Sequence, residues 1–320
     1  MRLFENANYD FLKARRIAVG GTAVFVALGL LAMAVQGLNE SIEFTGGVLV
    51  QVEFTDPAIE IGQVREAVSA AVPGRPEVST FGSASEFVIR ARVEEGDSIL
   101  GSQQAGSVVT DALAAAFGST VFRVDRVEAV GPKVGRELRL KAMLAILLSF
   151  GATLLYITFR FEWRFGVAAV LATAHDIAAT VALIGFLHIE VTLVVVAAVL
   201  TIVGYSLNDT IVVFDRVREN LRKFKRGQIR DILNRSVNET LPRTVLTGGT
   251  TLMALIALLA LGGPVIRDFA LLMTFGVIVG TFSSIYIASA MLLLIERRWP
   301  GEDVRGARTL VTDQPQPDAT

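Results

Sequence analysis

Two aspartates stand inside otherwise apolar runs, and no residues in the chain are better placed to do chemistry. Asp176 lies within Phe165–Leu187 and Asp209 within Val191–Phe214, and neither run holds another Asp, Glu, Lys or Arg. A carboxyl group removed from bulk water favours its neutral form, so it can gain and lose a proton near neutral pH. Asp176 follows His175 directly and lies one helical turn from Thr173 and Thr180. Asp209 belongs to Gly204-Tyr205-Ser206-Leu207-Asn208-Asp209-Thr210. Tyr205 and Ser206 precede it by four and three residues and share its helix face, while Thr201 and Asn208 mark a neighbouring face. An aspartate at the centre of a membrane helix costs roughly 2.5–3.5 kcal/mol, so this polar stripe must face other helices or a wet path. Proton handling fits these residue types, and so does a hydrogen-bonded clamp between helices.

Arg243 is the natural counter-ion. It follows Pro242, which suits the first turn of a helix, and it opens the apolar run Thr244–Ile266. A basic residue snorkelling to the membrane surface would sit in the same place. Other chemistries lack their residues. There is no cysteine, and His175 and His188 are the only histidines, so disulfides, thiolate chemistry and an ordinary zinc site are not expected. No Gly-x-x-x-x-Gly-Lys-Ser/Thr loop is present to hold a nucleotide. No nucleophile accompanies His175 and Asp176, so the chain reads as a non-enzyme without metal or cofactor.

The elements that must position these residues are membrane helices. Of the 320 residues 52% are hydrophobic and 19% charged, and the mean hydropathy is +0.54, too apolar for a soluble surface. A span needs roughly 20 apolar residues, and six segments qualify: Ile17–Gln36, Ala142–Phe159, Phe165–Leu187, Val191–Phe214, Thr244–Ile266 and Phe269–Ile295. The first could serve as a signal peptide, but its length favours an uncleaved anchor. Gly276-x-x-x-Gly280 and Gly248-Gly249 offer close helix approaches.

Basic residues set the orientation. Arg2, Lys13, Arg15 and Arg16 precede the first span, Arg160 and Arg164 lie between the second and third, and nine more fall between Asp215 and Arg243. Both termini are therefore expected in the cytoplasm, in a cell inner membrane. The stretch 215–243 reads as a basic amphipathic segment on the cytoplasmic membrane surface, with a break at Lys225-Arg226-Gly227. Residues 296–320 read as a polar cytoplasmic tail, disordered beyond Pro300. The formal charge of −1 offers no global basic field for nucleic acid.

Residues 37–139 then form an extracytoplasmic domain. Val48–Phe54 alternates as a strand, Ile59–Val72 as a helix ended by Pro73-Gly74, Glu77–Phe81 and Glu86–Val93 as strands joined at Gly82-Ser83, Asp97–Phe117 as a helix and Thr120–Val130 as a strand. The order β-α-β-β-α-β is that of a ferredoxin-like sandwich, a fold that says little about function. The expected class is thus a polytopic α-helical membrane protein with six transmembrane helices and a ferredoxin-like α+β domain between the first two.

Four stretches carry a family resemblance: Phe44-Thr45-Gly46-Gly47, Val130-Gly131-Pro132-Lys133-Val134-Gly135, the run from Gly204 through Asp209-Thr210 to Asn220, and Arg243-Thr244 followed by Gly248-Gly249-Thr250-Thr251. With them the chain resembles the SecD/SecF family of bacterial protein-export subunits, within the resistance-nodulation-division (RND) superfamily, from about residue 3 to Arg298. The resemblance implies pairing with SecD, whose six matching helices complete a pseudo-symmetric pair, and association with SecYEG and exported preproteins. It also implies use of the proton-motive force to promote translocation and release on the outer side. Asp209 and Arg243 match the family's functional aspartate and arginine, with Asp176 as a secondary candidate. An RND-type small-molecule efflux subunit and a passive scaffold of the translocase are the competing functions.

Overall fold

The computed structural model describes residues 4, 7–72, 76–91, 99–160, 162–224 and 228–299. The expected helix stop at Pro73-Gly74, the break at Lys225-Arg226-Gly227 and the tail beyond Pro300 lie outside them. A 3-10 turn, Phe11–Lys13, precedes α1 (Arg15–Gln36) and the short α2 (Ile42–Thr45). Then come β1 (Gly47–Phe54), α3 (Ile61–Ser69), β2 (Glu77–Phe81), β3 (Ser83–Ala91), α4 (Ile99–Phe117) and β4 (Phe122–Val130). The rest is helical: α5 (Pro132–Arg160), α6 (Trp163–Leu187), α7 (Leu193–Lys223), α8 (Ile229–Leu261), α9 (Pro264–Ser283), a π-helical turn (Ser284–Ala288) and α10 (Ser289–Arg298). Six of these segments are long and apolar enough to cross a membrane, with α9, the π-turn and α10 joined as one span. The protein is a multi-pass membrane protein, and its described residues include a small antiparallel sheet.

The sheet has the order β2-β3-β1-β4, with every neighbouring pair antiparallel. Period-two alternation places Val48, Val50, Val52 and Phe54 on one face. There they are fully buried against Val64 and Val68 of α3 and Val109 and Leu113 of α4. Each such side chain contributes about 1.5–3 kcal/mol by leaving water. Phe54 anchors the end of this core, with Phe87, Phe117 and Phe122 all within 6 Å between ring centroids. The turn between β2 and β3 passes through Gly82 at φ +73°, a backbone angle that glycine takes freely.

Two glycine-bearing motifs root the sheet in the helices. Gly46 has φ +77°, and a Cβ there would lie 2.7 Å from Pro132 Cα at the start of α5. A Cβ on Gly135 would meet the Phe44 carbonyl oxygen at 3.0 Å. Phe44-Thr45-Gly46-Gly47 and Val130–Gly135 are therefore two halves of one backbone joint. The loop between α6 and α7 is stitched to the same place. Ser41 N–H donates to Val191 O (3.1 Å), and Val191 N–H to Asn39 O (2.7 Å). Leu193 N–H donates to Glu43 Oε2 (2.6 Å).

Small residues set the helix packing. A Cβ on Gly29 of α1 would lie 2.4 Å from Ala182 Cβ of α6, and one on Gly276 of α9 would lie 2.4 Å from Ile202 Cγ1 of α7. Gly280 continues that seam against Ser206. By contrast, α5 turns Leu144, Leu147, Leu148, Leu155, Tyr156 and Phe159 outward.

At the end of the bundle away from the sheet, the sequence expectation needs correction. Helix α7 does not stop near Phe214 but runs to Lys223, and α8 starts at Ile229 rather than Thr244. Its other end lies at Leu261, where Gly262 and Gly263 make the turn into Pro264 of α9. Within the described residues, the 215–243 stretch is thus helix continuous with two spans, up to Lys223 on one side and from Ile229 on the other. Asn220 Nδ2 crosses it, donating to Ser236 Oγ (3.0 Å) and Glu239 Oε2 (2.7 Å). The N-terminal segment docks on α8 through side-chain amides: Tyr9 N–H donates to Asn238 Oδ1 (2.8 Å) and Phe11 N–H to Asn234 Oδ1 (2.9 Å). Pro242 consequently sits inside α8, where it deprives the Asn238 carbonyl of its helical donor. These amide ties hold the helix through a residue that would otherwise end it.

Candidate functional site

Helix α7 brings two of the predicted residues into one buried row. Ser206 and Asp209, one turn apart, both face inward. Asp209 has a hydroxyl within hydrogen-bond distance of each oxygen: Thr244 Oγ1 of α8 donates to Oδ1 (2.9 Å), and Ser284 Oγ of the π-turn lies 2.8 Å from Oδ2. Three membrane segments therefore converge on one carboxyl group. Ser206 Oγ donates to Asp176 Oδ2 of α6. The other Asp176 oxygen, Oδ1, lies 2.9 Å from His175 Nδ1. Hydroxyls thus replace the water each carboxyl group has lost.

The same helix settles where the other candidates go. Tyr205 is half-buried, with its hydroxyl toward Gly248 of α8. Thr201 and Asn208 are exposed on the outer side of α7 and do not join the buried row. Thr201 Oγ1 donates to its own helix at Ala197 O (2.7 Å). The expected direct pairing of Arg243 with Asp209 is not formed: among the described residues no salt bridge joins them. Arg243 lies exposed on α8, beside the Thr244 that bonds Asp209. Its charge acts on the carboxyl group through space. Among the described residues His175 Nε2 has no hydrogen-bond partner, and it is buried.

Sequence reasoning missed Ser284 and the bonding role of Thr244. A spacing of four, Gly276-Gly280-Ser284, was the available signal, since it puts Ser284 on the ridge that α9 presses against α7. It also missed a buried ion pair. Arg164 Nη1 at the start of α6 lies 2.6 Å from both Glu296 oxygens near the end of α10, and Nη2 lies 3.0 Å from Glu162 Oε2.

A second polar centre lies between sheet and bundle. A cavity of about 160 Å³ there is lined by residues that include Gln51, Arg90, Glu128, Glu190 and Asp268. Arg90 of β3 and Glu190 of the α6–α7 loop form an ion pair across it. Burial pushes the Glu190 carboxyl above the ordinary glutamate range, outweighing the opposing pull of Arg90.

Six membrane helices, a small antiparallel sheet rooted between the first two, and a hydroxyl-held carboxyl group at a three-helix junction define an integral membrane protein of the transport type. Residues 109–298 match the model for the C-terminal part of the protein export membrane proteins SecD/SecF, and residues 31–58 match that for the SecD/SecF GG motif. The chain belongs to the SecD/SecF family of protein-export membrane proteins. It is 51% identical over 309 residues to the protein translocase subunit SecF of Gemmatimonas aurantiaca, covering 95% of this chain and 92% of that one. To the SecF of Escherichia coli O157:H7 it is 40% identical over 285 residues, covering 89% and 87%. Its fold superposes on the crystal structure of SecDF, a translocon-associated membrane protein from Thermus thermophilus, with a TM-score of 0.81 and 36% identity. That match covers 93% of this chain and 40% of the SecDF chain, so this chain spans less than half of that protein. A second SecDF structure, in a super-membrane-facing form, matches with a TM-score of 0.66 and 37% identity. The protein is a Sec protein-export subunit.

Proposed function

We propose that this subunit works with SecD in the inner membrane, using the proton-motive force to promote translocation and release of exported chains on the outer side. Asp209 carries the proton, Arg243 modulates it electrostatically, and Asp176 is a secondary site held by Ser206 and His175. The observation that carries the reading is the Asp209 carboxyl group, buried where α7, α8 and the π-turn meet and bonded to a hydroxyl from each of the other two. A change of charge there acts on all three at once. In this reading the sheet unit is a ferredoxin-like extracytoplasmic domain, both termini are cytoplasmic, and the chain is not an enzyme. Association with SecYEG and contact with preproteins belong to the same proposal.

The outer side of α7 and α8 supports the need for a partner. Thr201, Gly204 and Asn208 on α7 are exposed, as are Arg243, Thr247 and Thr250 on α8. Polar groups at membrane depth face protein or a water-filled path rather than lipid. SecD, present in the same chain in the SecDF relative, supplies the covering helices.

The test is export at limiting proton-motive force with Asp209→Asn, which keeps the shape and removes the titratable group. One charge moved across 100 mV is worth roughly 2.3 kcal/mol, or about a fiftyfold change in an equilibrium. Export is expected to fall toward that limit while assembly with SecD persists. Normal export by Asp209→Asn under those conditions would sink the motor role of this residue.

A further inference from the structure

Ser284, the first residue of the π-turn, is bonded in a way that has a consequence for its neighbour. Its hydroxyl oxygen lies 2.8 Å from Asp209 Oδ2 and 2.9 Å from the backbone oxygen of Thr281. Both distances are those of hydrogen bonds, but a hydroxyl has a single proton to donate. The Thr281 carbonyl can only accept. An ionised Asp209 can also only accept, and Ser284 could then serve one of the two. With a proton on Asp209 Oδ2 both contacts are satisfied: Asp209 donates to Ser284 Oγ, and Ser284 donates to Thr281 O. Thr244 Oγ1 donates to Oδ1 in either case.

Among the described residues, Thr244 Oγ1 and Ser284 Oγ are the side-chain groups hydrogen-bonded to the Asp209 carboxyl. Ser283 and Ser289 flank the segment and are fully buried; Ser283 Oγ makes no hydrogen bond among the described residues, and Ser289 Oγ points to the Ser284 backbone oxygen (3.4 Å). Among charged and titratable groups, Arg243 on α8 acts on Asp209 through space. The Asp176–His175 pair on α6 is separated from it by Ser206, which bonds Asp176. From α9 and the π-turn, hydroxyls rather than charges face Asp209.

We propose that Ser284 is the positioning residue that reads the proton state of Asp209, and that the arrangement seen here is the proton-loaded one. This rests on the reading of Asp209 as the proton carrier and extends it to a second residue on another span. When the proton leaves, Ser284 must turn its hydrogen from Thr281 O to the carboxylate. That exchange breaks a bond inside the last span at the junction of α9 with a π-turn. Such turns interrupt the regular helix ladder and recur at functional sites. The proton state of α7 is thereby written into the backbone contacts of the sixth membrane segment.

The experiment is infrared difference spectroscopy on the intact complex with SecD in lipid nanodiscs, through a pH titration. The carboxylic C=O band of neutral Asp209 is assigned by its loss in Asp209→Asn. Ser284→Ala is expected to move that band to higher frequency, because the carboxyl O–H has lost its acceptor. Ser284→Thr, which retains the hydroxyl, is expected to restore the wild-type position. An Asp209 band that is identical in wild type and Ser284→Ala overturns the proposal, as does the absence of any such band down to mildly acidic pH. The export assay with Asp209→Asn is independent of this readout. A normal Asp209→Asn with a shifted Ser284→Ala band would remove the motor role of Asp209 and leave the bonding assignment standing.

Discussion

Glu296→Gln should loosen the end of the helix bundle away from the sheet, and the structure sets the size of the effect. The Glu296 and Arg164 side chains are only 8% and 4% exposed, and one guanidinium nitrogen touches both carboxylate oxygens. Breaking a buried pair from one side costs about 3–5 kcal/mol, because the remaining charge stays buried. Two features place this site at the lower limit, about 3 kcal/mol. Glutamine keeps one acceptor for Arg164, and Glu162 still bonds the guanidinium from its more exposed position. For chains of 150–250 residues 1 kcal/mol moves a melting temperature by roughly 2–4 °C; a longer chain moves less, so the expected fall is about 5–8 °C.

The assay is retention of a monodisperse size-exclusion peak after heating in detergent, which ranks variants even where unfolding is irreversible. The double replacement Arg164→Met with Glu296→Leu removes both charges and fills the space with apolar groups. It should melt within a few degrees of wild type, because swapping a whole buried pair for hydrophobic residues is near neutral. With the single variants Arg164→Met and Glu296→Leu, the double variant's loss less the sum of the two single losses is the coupling. If Glu296→Gln melts with wild type, or the double variant is as unstable as the single ones combined, the pair does not hold α6 to α10 and the argument from burial fails.

Two further outcomes follow from the packing and the electrostatics. Gly276→Ala alone puts a Cβ 2.4 Å from Ile202 Cγ1, a clash expected to cost about 1–3 kcal/mol; the loss of thermal stability caused by Ile202→Ala should therefore be smaller in the Gly276→Ala background than in wild type, and equal losses in the two backgrounds would mean that the α7–α9 seam is not set by this contact. Glu190 binds its proton more tightly in the folded protein than free glutamate does, so its contribution to stability is greatest in acid and is lost as pH rises from the ordinary glutamate value through the raised one. Relative to Glu190→Gln, the wild-type melting temperature should therefore decline across the mildly acidic range, and parallel curves for the two proteins would contradict that sign.

How legible the architecture is in the sequence depends on which force sets each part. The six spans follow from apolar length, and the sheet from alternation such as Val48, Val50 and Val52, because burial dictates both patterns residue by residue. Asp176 and Asp209 stand out for the opposite reason, as charges where the pattern allows none. What escapes is whatever depends on the rotation of one helix against another. Ser284 and Thr244 are hydroxyl residues of a kind that membrane helices tolerate, and nothing local says that both turn toward Asp209. Spacing puts Ser206 and Asp209 on one face of α7, yet the partner of each residue is not readable: Ser206 meets α6 while Thr201 and Asn208 stay outside. Arg164 and Glu296 are 132 residues apart and each looks like an ordinary charge at a helix end. The continuation of α7 and α8 beyond the membrane fails for a different reason. Hydropathy stops at the first charges, whereas helix formation does not, and the Asn220, Asn234 and Asn238 amides reward it.

Asp176 and Asp209 share a helix neighbourhood, but their bonding makes them unequal as levers. Protonating or ionising Asp176 changes its bonds to His175 on its own helix and to Ser206 on α7. Only the α6–α7 contact is affected, and α6 is otherwise fastened to α1 by close backbone packing at Gly29 and Gly185. Asp209 instead bonds α8 through one oxygen and the π-turn through the other. Directly above Ser284 on the α9 ridge, Gly280 and Gly276 bring the backbone close to α7 with no side chain to absorb a shift. A change in the length or direction of the Asp209–Ser284 bond must therefore be taken up below that point, in the π-turn and α10. There the Arg164–Glu296 pair ties α10 to the start of α6. In the proposed motor, a change in Asp209 bonding therefore reaches α10 and, through this ion pair, the start of α6, whereas a change at Asp176 stays between α6 and α7.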